Sequence, residues 1–179
     1  IVEVHTPYRH NRAYLAYLRE NPPRLFLVPS AYQAAIVRRV VGSEMPLKVI
    51  PNPIADSFLG EVGQVLHPPL APVLCWVGRL DYLKNWKLAL EVARGVIRAK
   101  PSSELWIIGS APDPKTEVAF FDRARRKGLL GKLRWYRDVR HDRMPALLES
   151  VRASGGVVLS TSRGESFGMA VAEAMACGC

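Results

Sequence analysis

Short β-rich apolar runs alternate along this chain with longer stretches of helical pattern, and that alternation narrows the fold more than any other feature. The runs fall at Leu25–Pro29, Leu47–Ile50, Val73–Val77, Glu104–Ile108, Leu133–Tyr136 and Val157–Leu159. Strands separated by helix-length stretches imply parallel βαβ units with right-handed crossovers. The clearest helix is Trp86–Lys100, where Ala89, Val92, Ala93, Val96 and Ile97 recur at i, i+3, i+4, i+7 and i+8 while Lys87, Glu91, Arg94 and Arg98 take other faces. Asn85 is the expected N-cap and Pro101 the stop. Further helices are expected at about Lys115–Lys127, Asp142–Ala153 and Phe167–Cys177, with Gly128 and Gly178 as C-terminal caps. The fold class implied is α/β, a Rossmann-like doubly wound parallel sheet.

The pattern fails between Pro51 and Pro72, where Pro51, Pro53, Pro68, Pro69, Pro72, Gly60 and Gly63 read as a connection. The expected organisation is therefore a remnant of a preceding domain at 1–53, a linker at 54–71 and a Rossmann-like domain at 72–179. The first segment shows two strands and one helix around Ala31–Val41, too little to bury a core unaided. The Pro51-Asn52-Pro53 turn is a hinge candidate, Asn52 being favoured there because its side chain bonds local backbone. The sequence begins at Ile1 without an initiator Met and stops at Cys179 inside an apolar stretch, so it reads as a piece of a longer chain.

A formal charge of +9 favours phosphate-bearing ligands, nucleic acid or an anionic membrane surface without choosing among them. The excess is concentrated in Asp122–Arg143, which holds nine basic residues against three acids. Trp135 and Tyr136 lie amid those arginines, but both are better explained as strand residues than as a stacking platform. Three cysteines, Cys75, Cys177 and Cys179, lack the paired spacing of a zinc site or a redox motif, which fits a reducing, cytoplasmic setting. No apolar run approaches the ~20 residues of a membrane-spanning helix.

Two constellations carry chemistry. In Trp76-Val-Gly78-Arg79-Leu-Asp-Tyr-Leu-Lys84-Asn85 a strand ends at Gly78 and presents Arg79 and Lys84 before a helix starts. Ligands of parallel sheets collect at strand carboxyl ends, and a guanidinium fork plus a point charge suits a diphosphate. The same two residues also read as solvated surface cations. In Ser160-Thr-Ser-Arg-Gly-Glu165-Ser166-Phe167-Gly168-Met169-Ala-Val-Ala-Glu173 a strand leads through a small polar loop into a helix. Its first-turn N–H groups, expected at Phe167, Gly168 and Met169, would meet an anion, and Gly168 would let a phosphate approach the backbone. Glu165 and Glu173 could face one crevice, or be ordinary acids near a helix start.

Together, Asn52-Pro-Ile after a strand, Gly78-Arg79 with Lys84-Asn85, and Glu165-Ser-Phe-Gly…Glu173-Ala-Met-Ala-Cys-Gly178 resemble the retaining glycosyltransferases of the family-four type with the two-Rossmann GT-B fold, a family that includes glycogen synthases and mannosyltransferases. The resemblance covers about residues 47–179. It implies that residues 72–179 are the donor-binding domain and that Arg79 and Lys84 hold the donor diphosphate and stabilise charge on the leaving nucleotide. It implies that Glu165 contacts the transferred sugar and that Gly78 and Ser166 join the donor site. Backbone around Phe167, Gly168 and Met169 would meet the phosphate, and Glu173 the ribose hydroxyls. The loop after Leu133–Tyr136, with Asp138 and Val139, would lie along the nucleobase, although Arg137 stands where related sequences usually carry Gly. His5, after the strand-like start, matches a site His of the family only thinly, and a structural or exposed role is the other option.

By the same resemblance no cofactor and no metal are expected, since Arg79 and Lys84 meet the departing charge and no Asp-x-Asp motif is present. The implied partners are a nucleotide-sugar donor and a glycan, lipid-linked or small-molecule acceptor, with peripheral membrane association conceivable and no nucleic acid. Competing functions are a GT-B epimerase or phosphorylase and a basic non-catalytic nucleotide or nucleic-acid module. No strand is followed by the Gly-x-Gly-x-x-Gly of a dinucleotide site.

Overall fold

The computed structural model describes residues 1–60 and 69–179. Gly63 and Pro68, and with them residues 61–68 of the proposed linker, lie outside the described residues. By contacts the chain forms two compact units, one of Ile1–Pro53 with Gly164–Met169, the other of Ile54–Arg163 with Ala170–Cys179.

The first unit is a parallel three-stranded sheet in the order β1 (Val2–Glu3), β2 (Phe26–Val28), β3 (Leu47–Val49), with helices α1 (Tyr14–Glu20) and α2 (Ala31–Val41) in the crossovers. Ser30 caps α2 by accepting from the Gln33 N–H at 3.1 Å. Val4, Leu15, Phe26, Val28, Ala34, Val37 and Val41 form its buried cluster. This corrects the expectation of two strands and one helix without a core. Helix α1 escaped notice because only Leu15 and Leu18 of its seven residues mark an apolar face.

The second unit is a parallel four-stranded sheet in the order β6-β5-β4-β7, from β4 (Val73–Val77), β5 (Glu104–Ile108), β6 (Leu133–Tyr136) and β7 (Val157–Leu159). Helices α3 (Trp86–Ala99) and α4 (Pro114–Arg126) cover one face, and α5 (Met144–Ala153) and α6 (Met169–Ala176) the other. Strand β4 shows the consequence of burial on both sides: Leu74 and Trp76 join the α3/α4 cluster, whereas Val73 and Cys75 join the α5/α6 cluster. Burial pushes the Cys75 thiol up to about 12, so it packs as a small apolar group. The expected linker at 54–71 does not begin as a free connection. Phe58, in the short turn Asp56–Phe58, is 1% exposed within the α5/α6 cluster.

Helix ends differ from the sequence expectation where cap chemistry decides. Asn85 occupies the N-cap position of α3, yet at φ 56° and ψ 47° its side chain makes no capping bond. Asp81 instead accepts from the Lys84 N–H at 2.8 Å. Gly128 and Gly178 do close their helices: at φ 70° and 78° they permit the 6→1 bonds Leu129 N–H to Ala124 O and Cys179 N–H to Ala174 O. Helix α6 begins at Met169 rather than Phe167, because Gly168 stands at φ 88°.

One buried network anchors the turn after β4. Trp76 Nε1–H donates to Thr161 Oγ1 at 2.9 Å, and the Thr161 hydroxyl reaches the Lys84 and Asn85 carbonyls at 3.0 and 3.1 Å. Thr161→Val keeps the shape but strands the indole N–H, and should cost about 1–3 kcal/mol of stability. A lower midpoint in denaturant titration, absent in Thr161→Ser, checks this.

Candidate functional site

The second unit gathers its candidate residues at the carboxyl ends of its strands. Strand order reverses beside β4: the chain moves outward through β5 and β6, then returns to place β7 on the other edge of β4. The helix after β4 covers one face and the helix after β7 the other, so the loops leaving these neighbours diverge. Such a switch point is where open parallel sheets bind ligands.

The loop after β4 holds Gly78, Arg79 and Lys84. Gly78 abuts Gly109, where a Cβ would stand 2.1 Å from the Gly78 carbonyl oxygen, so the loops after β4 and β5 touch through backbone. Gly109 was not singled out from the sequence, although Ile-Ile-Gly-Ser after a buried strand could have marked it. Arg79 is exposed and paired with Asp81, its Nε–H donating at 2.8 Å. Burial alone would raise the Asp81 carboxyl, but bonds from the Lys84 N–H and from Arg79, with the Arg79 charge, outweigh it and hold Asp81 below the usual carboxylate range. The turn is therefore built around one fixed anion that orients Arg79 while leaving it accessible.

Asp138 and Val139 share with Gly78 and Gly109 a cavity of about 330 Å³ completed by Val77, Ile108, Ser110 and Met144. Arg137 does not take the left-handed conformation that a Gly would permit; Asp138 does, at φ 48°. Arg137 instead forms a two-bond pair with Glu117, at 3.0 and 2.5 Å, and lies 4.2 Å over the Trp135 ring. The left-handed residue of this turn is thus Asp138, and Arg137 keeps an ordinary backbone conformation.

Glu173 sits on α6 and is 8% exposed. His141 Nε2 lies 3.0 Å from its Oε1, and the His141 ring rests 5.0 Å from that of Phe58. No motif signalled His141; only the fold brings it within reach.

Glu165, Ser166, Phe167, Gly168 and Met169 fall in the first unit. Tyr8 donates its hydroxyl to the Gly164 carbonyl at 2.6 Å, and Ser30 donates to the Ser166 carbonyl at 2.5 Å. The first-turn donors expected at Phe167–Met169 reduce to Met169, because the two preceding residues lie before α6. His5 is exposed and within 3.1 Å of Glu3.

The basic window is largely neutralised within the unit. Arg123 and Lys127 pair with Glu91, Arg125 with Asp122, Arg134 with Glu104, Arg137 with Glu117 and Arg140 with Asp142. Trp135 packs against the core and donates its Nε1–H to the Gly109 carbonyl at 2.7 Å. Among the described residues no helix is long and apolar enough to cross a membrane.

A doubly wound parallel sheet with cations in the loop at its switch point defines a Rossmann-like domain, and solved structures share its fold. The structure of a TarM mutant from S. aureus, in complex with fondaparinux, α-GlcNAc-glycerol and UDP, matches at TM-score 0.76 and 17% identity over 98% of this chain and 34% of that one. Anabaena HepE in complex with UDP and glucose matches at TM-score 0.78 and 20% identity over 96% of this chain and 47% of that one. The model of the family described as glycosyl transferases group 1 matches residues 62–179, and the chain belongs to that family. A curated relative, the D-inositol 3-phosphate glycosyltransferase of Segniliparus rotundus, is 31% identical over 111 residues, which is 62% of this chain and 24% of that protein. The aligned stretch thus spans about a quarter of the curated relative.

Proposed function

We propose that the full-length protein transfers a sugar from a nucleoside-diphosphate sugar to an acceptor hydroxyl with retention of anomeric configuration. The observation that carries this reading is the turn after β4, which presents Arg79 and Lys84 at the switch point of a sheet belonging to the family. Arg79 and Lys84 meet the diphosphate, exchanging the exposed Asp81 pair for phosphate oxygens. Charge accumulates on those oxygens as the anomeric C–O bond breaks, so both cations act chiefly in the transition state. The acceptor oxygen bonds to the anomeric carbon on the face the leaving group vacates, and the acceptor proton passes to that leaving phosphate. Glu165 orients the transferred sugar, the Met169 N–H at the start of α6 contacts phosphate, and Glu173 takes the ribose hydroxyls. The cavity at Gly78, Asp138 and Val139 takes the nucleobase edge.

HepE with UDP-glucose and TarM with UDP support a uridine nucleotide as the first donor to try. The acceptor is a glycan, a lipid-linked sugar or a small molecule, reached from the cytoplasm or the membrane surface. The reaction needs no metal, because the two side-chain cations occupy its role; chelation should leave turnover unchanged. Residues 1–179 alone are inactive in this reading, since the acceptor is held mainly by residues outside them.

A thermal-shift panel of UDP, GDP and ADP with their sugar conjugates, on the full-length protein, tests the donor class. A saturating cognate nucleotide at 100 times its Kd should stabilise by about 2.7 kcal/mol; Glu173→Ala should lose most of the shift for nucleotide and sugar conjugate alike, whereas Arg79→Ala should lose it chiefly for the free diphosphate, which carries the charge of the leaving group. Stabilisation by none of the three would sink the assignment. Product anomeric configuration, read by NMR, decides retention.

A further inference from the structure

A second cavity opens on the opposite side of the same turn, and the donor chemistry leaves it unused. Its volume is about 520 Å³, within the range of small-molecule sites, and it shares no lining residue with the Gly78–Asp138 cavity. Its floor is apolar, made by Leu80, Trp86 and Ala119 between the first turns of α3 and α4. Its rim carries Lys87, Lys115 and Arg163. Among the described residues none of these three forms an ion pair, in a unit whose arginines are otherwise mostly matched to carboxylates. The one acid lining the cavity, Asp81, is already held by Arg79 and the Lys84 N–H.

Two further features face this space. Tyr82 is 71% exposed, with the Arg163 guanidinium 4.1 Å over its ring and the Arg163 Nε–H donating to its carbonyl at 3.2 Å. Asn85 is held in the left-handed region, yet its carboxamide is not used to cap α3. Three like charges around one concavity repel one another and are quieted by a bound dianion, while an apolar floor and an exposed ring favour a ligand with an unsaturated body.

We propose that this cavity binds a phosphate monoester with an aromatic or otherwise unsaturated body, as a site separate from the donor site. The phosphate meets Lys87, Lys115 and Arg163, Asn85 donates its amide, and the body lies on the floor beside Tyr82. Arg163 also donates its backbone N–H to the Leu83 carbonyl at 2.9 Å, so the ligand braces the turn that carries Lys84. The inference stands on the cavity alone and does not require the donor reading.

The test is calorimetric titration of the full-length protein with phenyl phosphate, inorganic phosphate and benzyl alcohol. Phenyl phosphate should bind more tightly than either part by about tenfold or more, since charge and body act together. Lys115→Glu and Tyr82→Ala, both at exposed positions, should each weaken it about tenfold, Lys115→Arg should retain it, and neither loss should alter nucleoside-diphosphate affinity. Arg79→Ala should do the reverse. Unchanged thermal melts of the variants show that folding is intact. Phenyl phosphate binding no tighter than inorganic phosphate, or lost in Arg79→Ala but kept in Lys115→Glu, would overturn the proposal. The second outcome would assign the compound to the donor site.

Discussion

Lys84→Ala and Arg79→Ala in the full-length enzyme should each lower kcat about 10²–10³-fold, with much smaller changes in donor KM. The magnitude follows from removing one pre-positioned cation or donor from a site where charge develops during bond cleavage, about 2.7–4 kcal/mol of transition-state stabilisation. Lys84 is held from three directions: its N–H bonds Asp81, its carbonyl meets the Thr161 hydroxyl, and its Cγ would stand 3.3 Å from a Cβ on Gly78. Its ammonium therefore starts from a fixed backbone. Arg79 has a competitor in Asp81, so Arg79→Lys should recover only part of the loss: an ammonium keeps the charge but not the fork. Steady-state kinetics with the donor found by the nucleotide panel measures both effects. A rise in donor KM at unchanged kcat in both variants would make these residues binding groups alone and remove the electrostatic role.

Strands of the second unit were legible to the residue, β4 most plainly, because a strand buried on both faces writes itself as an unbroken apolar run bounded by turn residues. Val73–Val77 is such a run, read the same way in sequence and structure. Ends of helices were less legible, since a cap is settled by backbone angles that no residue type dictates alone. Asn85 has the right chemistry for an N-cap but sits in the left-handed region rather than the extended one, while the start of α6 moves two residues because Gly168 turns left-handed. The candidate cations and acids were found through motif order. What escaped was tertiary. The loop carrying Glu165 is bonded to Tyr8 and Ser30, 156 and 136 positions from its own Gly164 and Ser166, so it groups with the first unit. His141 likewise acquires meaning only when the turn before α5 meets α6.

Glu173→Ala should raise donor KM about 10–100-fold with kcat changed only a few-fold, because a hydrogen bond to a charged group contributes about 1.5–3 kcal/mol and the ribose lies away from the breaking bond. Glu173→Gln should lie between, as it keeps one acceptor oxygen and loses the charge. His141 sharpens this prediction. With its proton on Nε2, the ring donates to one Glu173 oxygen and leaves the other for the sugar, while Phe58 beneath the ring limits its orientations. The imidazole is exposed and the carboxylate buried, so the pair holds a buried acceptor in one rotamer at little desolvation cost to the ring. His141→Ala should therefore raise donor KM about 3–10-fold by loosening Glu173, and should add little in a Glu173→Ala background, the non-additivity expected of residues acting as a unit. His141→Gln, which can still donate, should restore part of the affinity. Additive effects of the two alanine substitutions would mean that His141 touches the donor independently. A loss of kcat at unchanged donor KM in Glu173→Ala would instead move this carboxylate from the ribose to the reacting sugar, and with it the division of labour between Glu165 and Glu173.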